Sequence, residues 1–405
     1  VSIKLDTLKN ICYGVDIMDK NIEKLLGDIE LDEANYDLGI TREALSRVEL
    51  RKDMITTIQG VRRSGKSIFM KQIMEHFSIQ SESFYINFED PSLSDMLDYN
   101  LLDNIVEYHE KTKRKNYYYF FDEIQNVENW EKWLHIQVAK KKRHFIISGS
   151  NSKLLAGKLG TALTGRHLSV EIFPFSFNEF EQFTKKDLNH YLVEGGFPLA
   201  LSVDNPKSLL KDYFSDIIER DVKRQVSARS SRTLTQLAKA IFESAGSELS
   251  FRNLAKIFET TVDTVKLYVE AFEACYLILP CSYFTYSERK SLVRAKKYYP
   301  IDNGLRQAII TKSGKDEGKG FEIYIFLMLR KKYSEVFYWR NKKEVDFIIE
   351  TDEGIQPIQV TTGETKSRHR EAAEEFAAEH PKSLPCFYVS LNNLAEFNQL
   401  FIDRR

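Results

Sequence analysis

From Met54 onward, the first half of the chain alternates between two rhythms. Short apolar runs at Met54–Ile58, Phe84–Phe88, Tyr117–Phe121 and Phe145–Ile147 have the aromatic and β-branched content of buried strands. Between them, apolar residues return at helical spacing. Examples are Ile68, Phe69, Ile73 and Met74, then residues 93–110, then Trp130, Trp133, Leu134, Ile136 and Val138. Strand–helix alternation of this kind predicts an α/β unit around a parallel sheet, because parallel strands need crossover helices. Upstream, Ile17, Ile22, Leu25, Leu26 and Ile29 share one helical face. Residues 1–48 therefore read as a helical lead-in, and residues 49–185 as the α/β core.

The link between the first strand and the first helix carries the clearest chemistry. Gly60-Val61-Arg62-Arg63-Ser64-Gly65-Lys66-Ser67 has the form G-x-x-x-x-G-K-S and runs into Ile68. Such a loop turns its N–H groups toward a phosphate chain, and the helix N-terminus adds partial positive charge. This predicts binding of ATP or ADP through residues 60–68. Lys66 is expected on the β- and γ-phosphates and the Ser67 hydroxyl on Mg²⁺.

The third apolar run ends in Asp122-Glu123. Asp122 is expected to hold the Mg²⁺ shell and Glu123 to orient the attacking water, since phosphoryl transfer asks mainly for positioning and charge neutralisation. The fourth run ends in Ser148-Gly149-Ser150-Asn151. Ser150 or Asn151 is expected to sense the γ-phosphate or the water, a role compatible with capping a turn. Leu163-Thr164-Gly165-Arg166 places Arg166 as a candidate arginine finger, in the same chain or from a neighbour.

Composition narrows the class without naming it. The 405 residues are 42% hydrophobic and 29% charged, with a net charge of -1. That length exceeds one typical core. The charge balance gives no global field toward nucleic acid or membrane. No apolar run approaches the ~18 residues of a membrane span, so no membrane partner is expected. Cys12, Cys275, Cys281 and Cys386 are scattered, which reads as reduced thiols in a cytoplasmic protein. The tracts at residues 111–115 and 140–143 read as solvated charge or contacts to a phosphate backbone.

Further on, Leu254, Ala255 and Phe258, then Val262, Val265, Val269 and Phe272, fit two helices joined by a turn at Glu259-Thr260-Thr261, with Ser250 as a cap. Residues 277–299 read as a hairpin wing carrying Arg289, Lys290, Arg294, Lys296 and Lys297. A winged helix over 233–300 follows, preceded by a helical lid over 186–232. Double-stranded DNA and a protein are both candidate partners for it.

The glycine loop, Phe120-Phe121-Asp122-Glu123-Ile124-Gln125, Ile147-Ser148-Gly149-Ser150-Asn151, Thr164-Gly165-Arg166 and Phe173-Pro174-Phe175 together resemble the AAA-like ATPases of bacteria and archaea that carry a C-terminal domain of unknown function. Gly195-Gly196-Phe197-Pro198, Glu219-Arg220-Asp221 and Asp302-Asn303-Gly304 extend the resemblance. It implies ATP binding, slow hydrolysis, a winged helix and a nuclease-like α/β domain over 301–405. That last part resembles a PD-(D/E)xK nuclease core, in which Glu322 and Asp346 match the carboxylates and Gln359 the E/Q. Thr361 stands where lysine belongs, which implies an inactive remnant rather than a metal-dependent nuclease. The leading expectation is a Mg²⁺-dependent ATPase acting as a nucleotide switch. The alternatives are a DNA-binding module with structural ATP or ADP, or a nuclease.

Overall fold

The computed structural model describes residues 20–30, 37–112, 117–151, 165–226, 228, 230–311 and 317–402. Cys12, Ile17, residues 113–115 and Leu163–Thr164 lie outside the described residues. The chain divides into two compact units, one formed by residues 1–60 and 65–172, the other by residues 61–64 and 173–405.

The first unit is built on a parallel sheet of β1 (Ile55–Gln59), β2 (Ser83–Asn87), β3 (Tyr118–Asp122), β4 (His144–Gly149) and β5 (His167–Glu171), in the order β2-β3-β4-β1-β5. Strands β2, β3 and β4 carry apolar residues in both pleat directions because both faces are covered. Phe84, Phe121, Trp133 and Phe145 fill one face, joined by Leu26 and Ile29 from the helical residues 20–30. Phe69, Ile73, Phe120 and Ile146 fill the other. Register sets the site. Gln59 pairs with Gly149 and Asn87 with Asp122, so the carboxyl ends of β1, β2, β3 and β4 finish at one edge. In an open parallel sheet that edge is where ligands bind.

The second unit opens with helices Phe177–Thr184 and Leu188–Glu194, then a long helix begins at Pro206. Its middle, Ile217–Val222, is a π-turn holding Glu219, Arg220 and Asp221. Two motifs distant in sequence meet in this unit. Asp302 caps the helix Asn303–Ile309 by accepting the Leu305 N–H at 2.7 Å, and it also accepts the Gly196 N–H at 2.7 Å. A Cβ on Gly196 would stand 2.4 Å from the Phe175 carbonyl oxygen, which accounts for glycine there. Burial pushes the Asp302 carboxyl up to about 6 against these stabilising hydrogen bonds.

Helices Phe251–Ile257 and Val262–Ala274 form the expected pair, capped by Ser250 and Thr261. The expected wing is corrected. β6 (Ile278–Tyr283) and β7 (Lys297–Pro300) are antiparallel, but the connection contains a helix, Glu288–Val293, rather than a hairpin tip. The outer edge of β6 pairs with β8 (Phe337–Arg340) through Ser282 with Phe337 and Tyr283 with Tyr338. With β9 (Glu344–Thr351), β10 (Gly354–Val360) and β11 (Phe387–Val389) this makes one six-stranded sheet, β11-β10-β9-β8-β6-β7. The boundary placed at residue 300 therefore falls inside a sheet. Lys297 is corrected as well. It is 1% exposed and donates to Glu344, so it is not a surface cation.

Candidate nucleotide site

After Gln59 the backbone turns through Gly60 and Gly65, with φ of 156° and 94°. Gly65 stands directly before the helix Lys66–His76, in a conformation that strains any residue with a Cβ. No side chain caps that helix. Its first N–H groups and its dipole therefore favour an anion at the edge of the sheet.

The side chains that converge there come from four neighbouring stretches. Lys66 is 5% exposed. Its ammonium donates to the Gly60 carbonyl at 3.2 Å and lies 3.3 Å from a Glu123 carboxylate oxygen. Asp122 is fully buried at the end of β3. It accepts the Tyr85 hydroxyl at 2.7 Å and the hydroxyls of Ser148 and Ser67. Burial and the neighbouring Glu123 charge push the Asp122 carboxyl up, while these hydroxyls hold it down. Glu123 adopts a left-handed backbone, φ 52°, uncommon for a residue with a side chain. Its N–H donates to the Ser148 hydroxyl at 3.0 Å, which fixes that turn. Its carboxylate accepts the Gln125 amide at 2.5 Å and the Ser150 N–H at 3.3 Å.

The structure thus brings Gly60, Gly65, Lys66, Ser67, Asp122, Glu123 and Ser150 together, with Ile68 in the first turn of the helix. Two members escaped the sequence reading. Ser148 bonds both acidic residues, and Tyr85 reaches Asp122 from β2. The available signal was a small polar residue ending an apolar strand, two positions before Ser150. Arg166 is not brought in. It is exposed and precedes β5, and its carbonyl accepts the Ile55 N–H at the start of β1, at the opposite end of that strand from Gly60. An in-chain finger role is corrected on that ground. Val61–Ser64 group with the second unit. Within it, Arg62 pairs with Asp221 through two hydrogen bonds of 3.0 and 3.1 Å, and Arg63 stands 3.8 Å from Asp216 and over the Tyr213 ring.

Ser67 and Asp122 offer two hard oxygen donors already within hydrogen-bond reach of each other. This fits Mg²⁺, which takes one or two protein oxygens and completes its shell with water and phosphate. Such an ion would supply charge neutralisation across the β- and γ-phosphates. Among the described residues, no group of three or more His, Cys, Asp or Glu is arranged to hold a metal.

The residues matched to a nuclease also meet, inside the second unit. Glu322, Asp346 and Gln359 line one cleft of about 590 Å³. Their bonding does not fit a divalent ion. Glu322 is held by the Tyr299 hydroxyl at 2.9 Å and the Lys319 ammonium at 2.7 Å. Asp346 accepts the Gln359 amide at 2.6 Å and the Val360 N–H at 2.8 Å, and burial beside Glu322 pushes its carboxyl up. Thr361, in place of lysine, spends its hydroxyl on the Gly363 and Glu364 carbonyls and shapes the next loop.

Residues 52–181 match the family described as AAA domain. A protein of Methanocaldococcus jannaschii, uncharacterized protein MJ1544, is 32% identical over 396 residues, which cover 89% of this chain and 86% of that one. The chain and MJ1544 belong to one family, and residues 52–181 of this chain are its AAA-like P-loop domain. An uncharacterized protein of Haemophilus influenzae is 29% identical over 76% of this chain and 82% of its own. Residues 185–316 and 317–399 of this AAA-like protein match two further families, both described as domains of unknown function, DUF8612 and DUF4143. Among solved structures, the Aeropyrum pernix ORC1 protein in complex with DNA aligns at 10% identity and a TM-score of 0.30, over 65% of this chain and 88% of that one. The C. elegans PCH-2 structure aligns at 11% and 0.24, over 64% and 69%.

Proposed function

We propose that this AAA-like protein binds and hydrolyses ATP with Mg²⁺ and works as a nucleotide switch. The observation that carries the reading is the convergence of Lys66, Ser67, Asp122 and Glu123 at the mouth of an uncapped helix. Lys66 holds the β- and γ-phosphates. Ser67 and Asp122 place the cation. Glu123, released from Lys66 as the phosphates take the ammonium, orients and polarises the attacking water, while the Ser150 N–H keeps its carboxylate aimed. Phosphate release by purified wild type and Lys66→Ala is the direct test. Turnover that survives in Lys66→Ala refutes the reading.

A second reading rests on the segment after β6. Arg289, Lys290, Arg294 and Lys296 are all exposed there and suit the backbone of a DNA duplex. Duplex binding that weakens steeply with salt, and is lost when Arg289, Lys290 and Lys296 become Ala, supports it. Equal binding by that variant removes it.

A further inference from the structure

The cleft lined by Glu322, Asp346 and Gln359 has two ends of opposite character. At the inner end two carboxylates are matched by protein cations, while Asp346 accepts from the Gln359 amide and the Val360 N–H. Lys319 holds Glu322 and Lys297 holds Glu344. What stays open is the Gln359 amide oxygen. Gln359 is 4% exposed, its amide nitrogen is committed to Asp346, and its oxygen has no hydrogen-bond partner. Leaving a buried amide oxygen this way is unfavourable, so the inner end favours a ligand that brings N–H or NH₂ donors.

The outer end is donor-rich, with two cations beside one carboxylate, Glu364. The helix Ser367–Glu379 begins there without a side-chain cap. Lys366 and Arg368, both exposed, flank its first turn and line the cleft. His369 also lines it and is 6% exposed. Its Nε2 accepts from Arg368 at 3.2 Å, which leaves Nδ1 as the protonated nitrogen, buried and unpartnered. Burial and the two neighbouring cations hold this imidazole neutral, so the Nδ1–H is a standing donor. An uncapped helix start, two cations and a free buried N–H together make an anion site.

From these two ends we infer that the cleft binds a nucleoside monophosphate, with the phosphate at the start of helix Ser367–Glu379 and the amine- or amide-bearing base against Gln359 and Asp346. The cleft volume lies within the range of small-ligand sites. All of the residues that line it belong to the second unit.

The test uses the full chain carrying Lys66→Ala, so that the glycine loop does not contribute. The four ribonucleoside monophosphates are titrated by calorimetry, alongside inorganic phosphate, a 5′-phosphorylated trinucleotide and Mn²⁺ alone. At least one monophosphate is expected to bind. Lys366→Ala is a surface change, and Arg368→Ala also removes the donor to His369 Nε2; each is expected to weaken both the monophosphate and inorganic phosphate about tenfold or more. Gln359→Leu is expected to weaken the monophosphate and leave inorganic phosphate unchanged. A trinucleotide that binds more tightly than the monophosphate makes the ligand a strand end, and equal binding makes it a free nucleotide. Both support the site. Failure of every monophosphate to bind, binding indifferent to Arg368→Ala, or a Mn²⁺ site lost on Asp346→Asn overturns it.

Discussion

The ammonium of Lys66 and the carboxylate of Glu123 stand 3.3 Å apart, with both side chains almost wholly buried. On the proposed ATPase reading, each is the group the other gives up for chemistry to start. Lys66 has to turn to phosphate, and Glu123 has to turn to water. Buried ion pairs recover little net stability after desolvation, so this one is cheap to exchange for a phosphate contact.

Glu123→Gln is expected to keep or tighten ATP binding, because Lys66 is left without its carboxylate. Turnover should fall about 10²- to 10³-fold with loss of the polarising base. Lys66→Ala should lose binding itself. Equilibrium binding of ATP beside single-turnover hydrolysis separates the two. A Gln variant that neither binds nor cleaves would make the pair structural.

Ser148 bonds both Asp122 and the Glu123 N–H. Ser148→Ala should leave a buried N–H unsatisfied, at a cost of about 1–3 kcal/mol. It should also let Asp122 drift, raising the Mg²⁺ concentration that half-saturates turnover. A Mg²⁺ titration identical to wild type would mean Asp122 is positioned by Tyr85 and Ser67 alone.

Asp302→Ala removes the acceptor of two buried N–H groups, Gly196 and Leu305. Hydrogen bonds to a charged acceptor contribute about 1.5–3 kcal/mol each, so a loss of about 3 kcal/mol or more is expected in urea unfolding. Gly196→Ala should be comparably damaging, since its Cβ meets backbone rather than a side chain that can swing away. Near-normal stability of both would sever the link between the two motifs.

His144 is 7% exposed, and burial, with Lys52 adding, holds its imidazole down to about 4. The folded value lies below the unfolded one of roughly 6.5. The neutral ring therefore contributes stability that is fully present above the unfolded value and is lost as pH falls toward the folded one. That contribution amounts to at most about 3 kcal/mol. His144→Phe cannot titrate, so the stability gap between variant and wild type should shift in favour of the variant between pH 7.5 and pH 4.5. A gap that stays constant would show that the ring charges without penalty.

Local signals carried the first unit a long way. The glycine loop, the apolar strands and the helical spacing of Ile68, Phe69, Ile73 and Met74 each follow from neighbours in sequence, and so does the acidic end of β3. The second unit was legible only in pieces. The helix pair around Glu259 falls where its apolar spacing predicts. The pairing of Tyr283 with Tyr338 joins residues far apart in sequence, and an apolar strand reads the same whether its outer edge meets solvent or another strand. The same limit misjudged Lys297, because a basic residue reveals its charge and not the Glu344 carboxylate waiting across the sheet. Ser148 was passed over for Ser150 because hydroxyls at a strand end cannot be ranked before their partners are known.

The recognised sequence families change hands between residues 316 and 317, yet β6 and β7 lie on one side of that border and β8 to β11 on the other, all in one sheet. A gene fusion or recombination event at that border would leave β6 or β8 with a bare row of amides and carbonyls, the kind of edge that recruits other chains. Hybrids made by exchanging the last segment between relatives should therefore fail first at the Ser282–Phe337 seam.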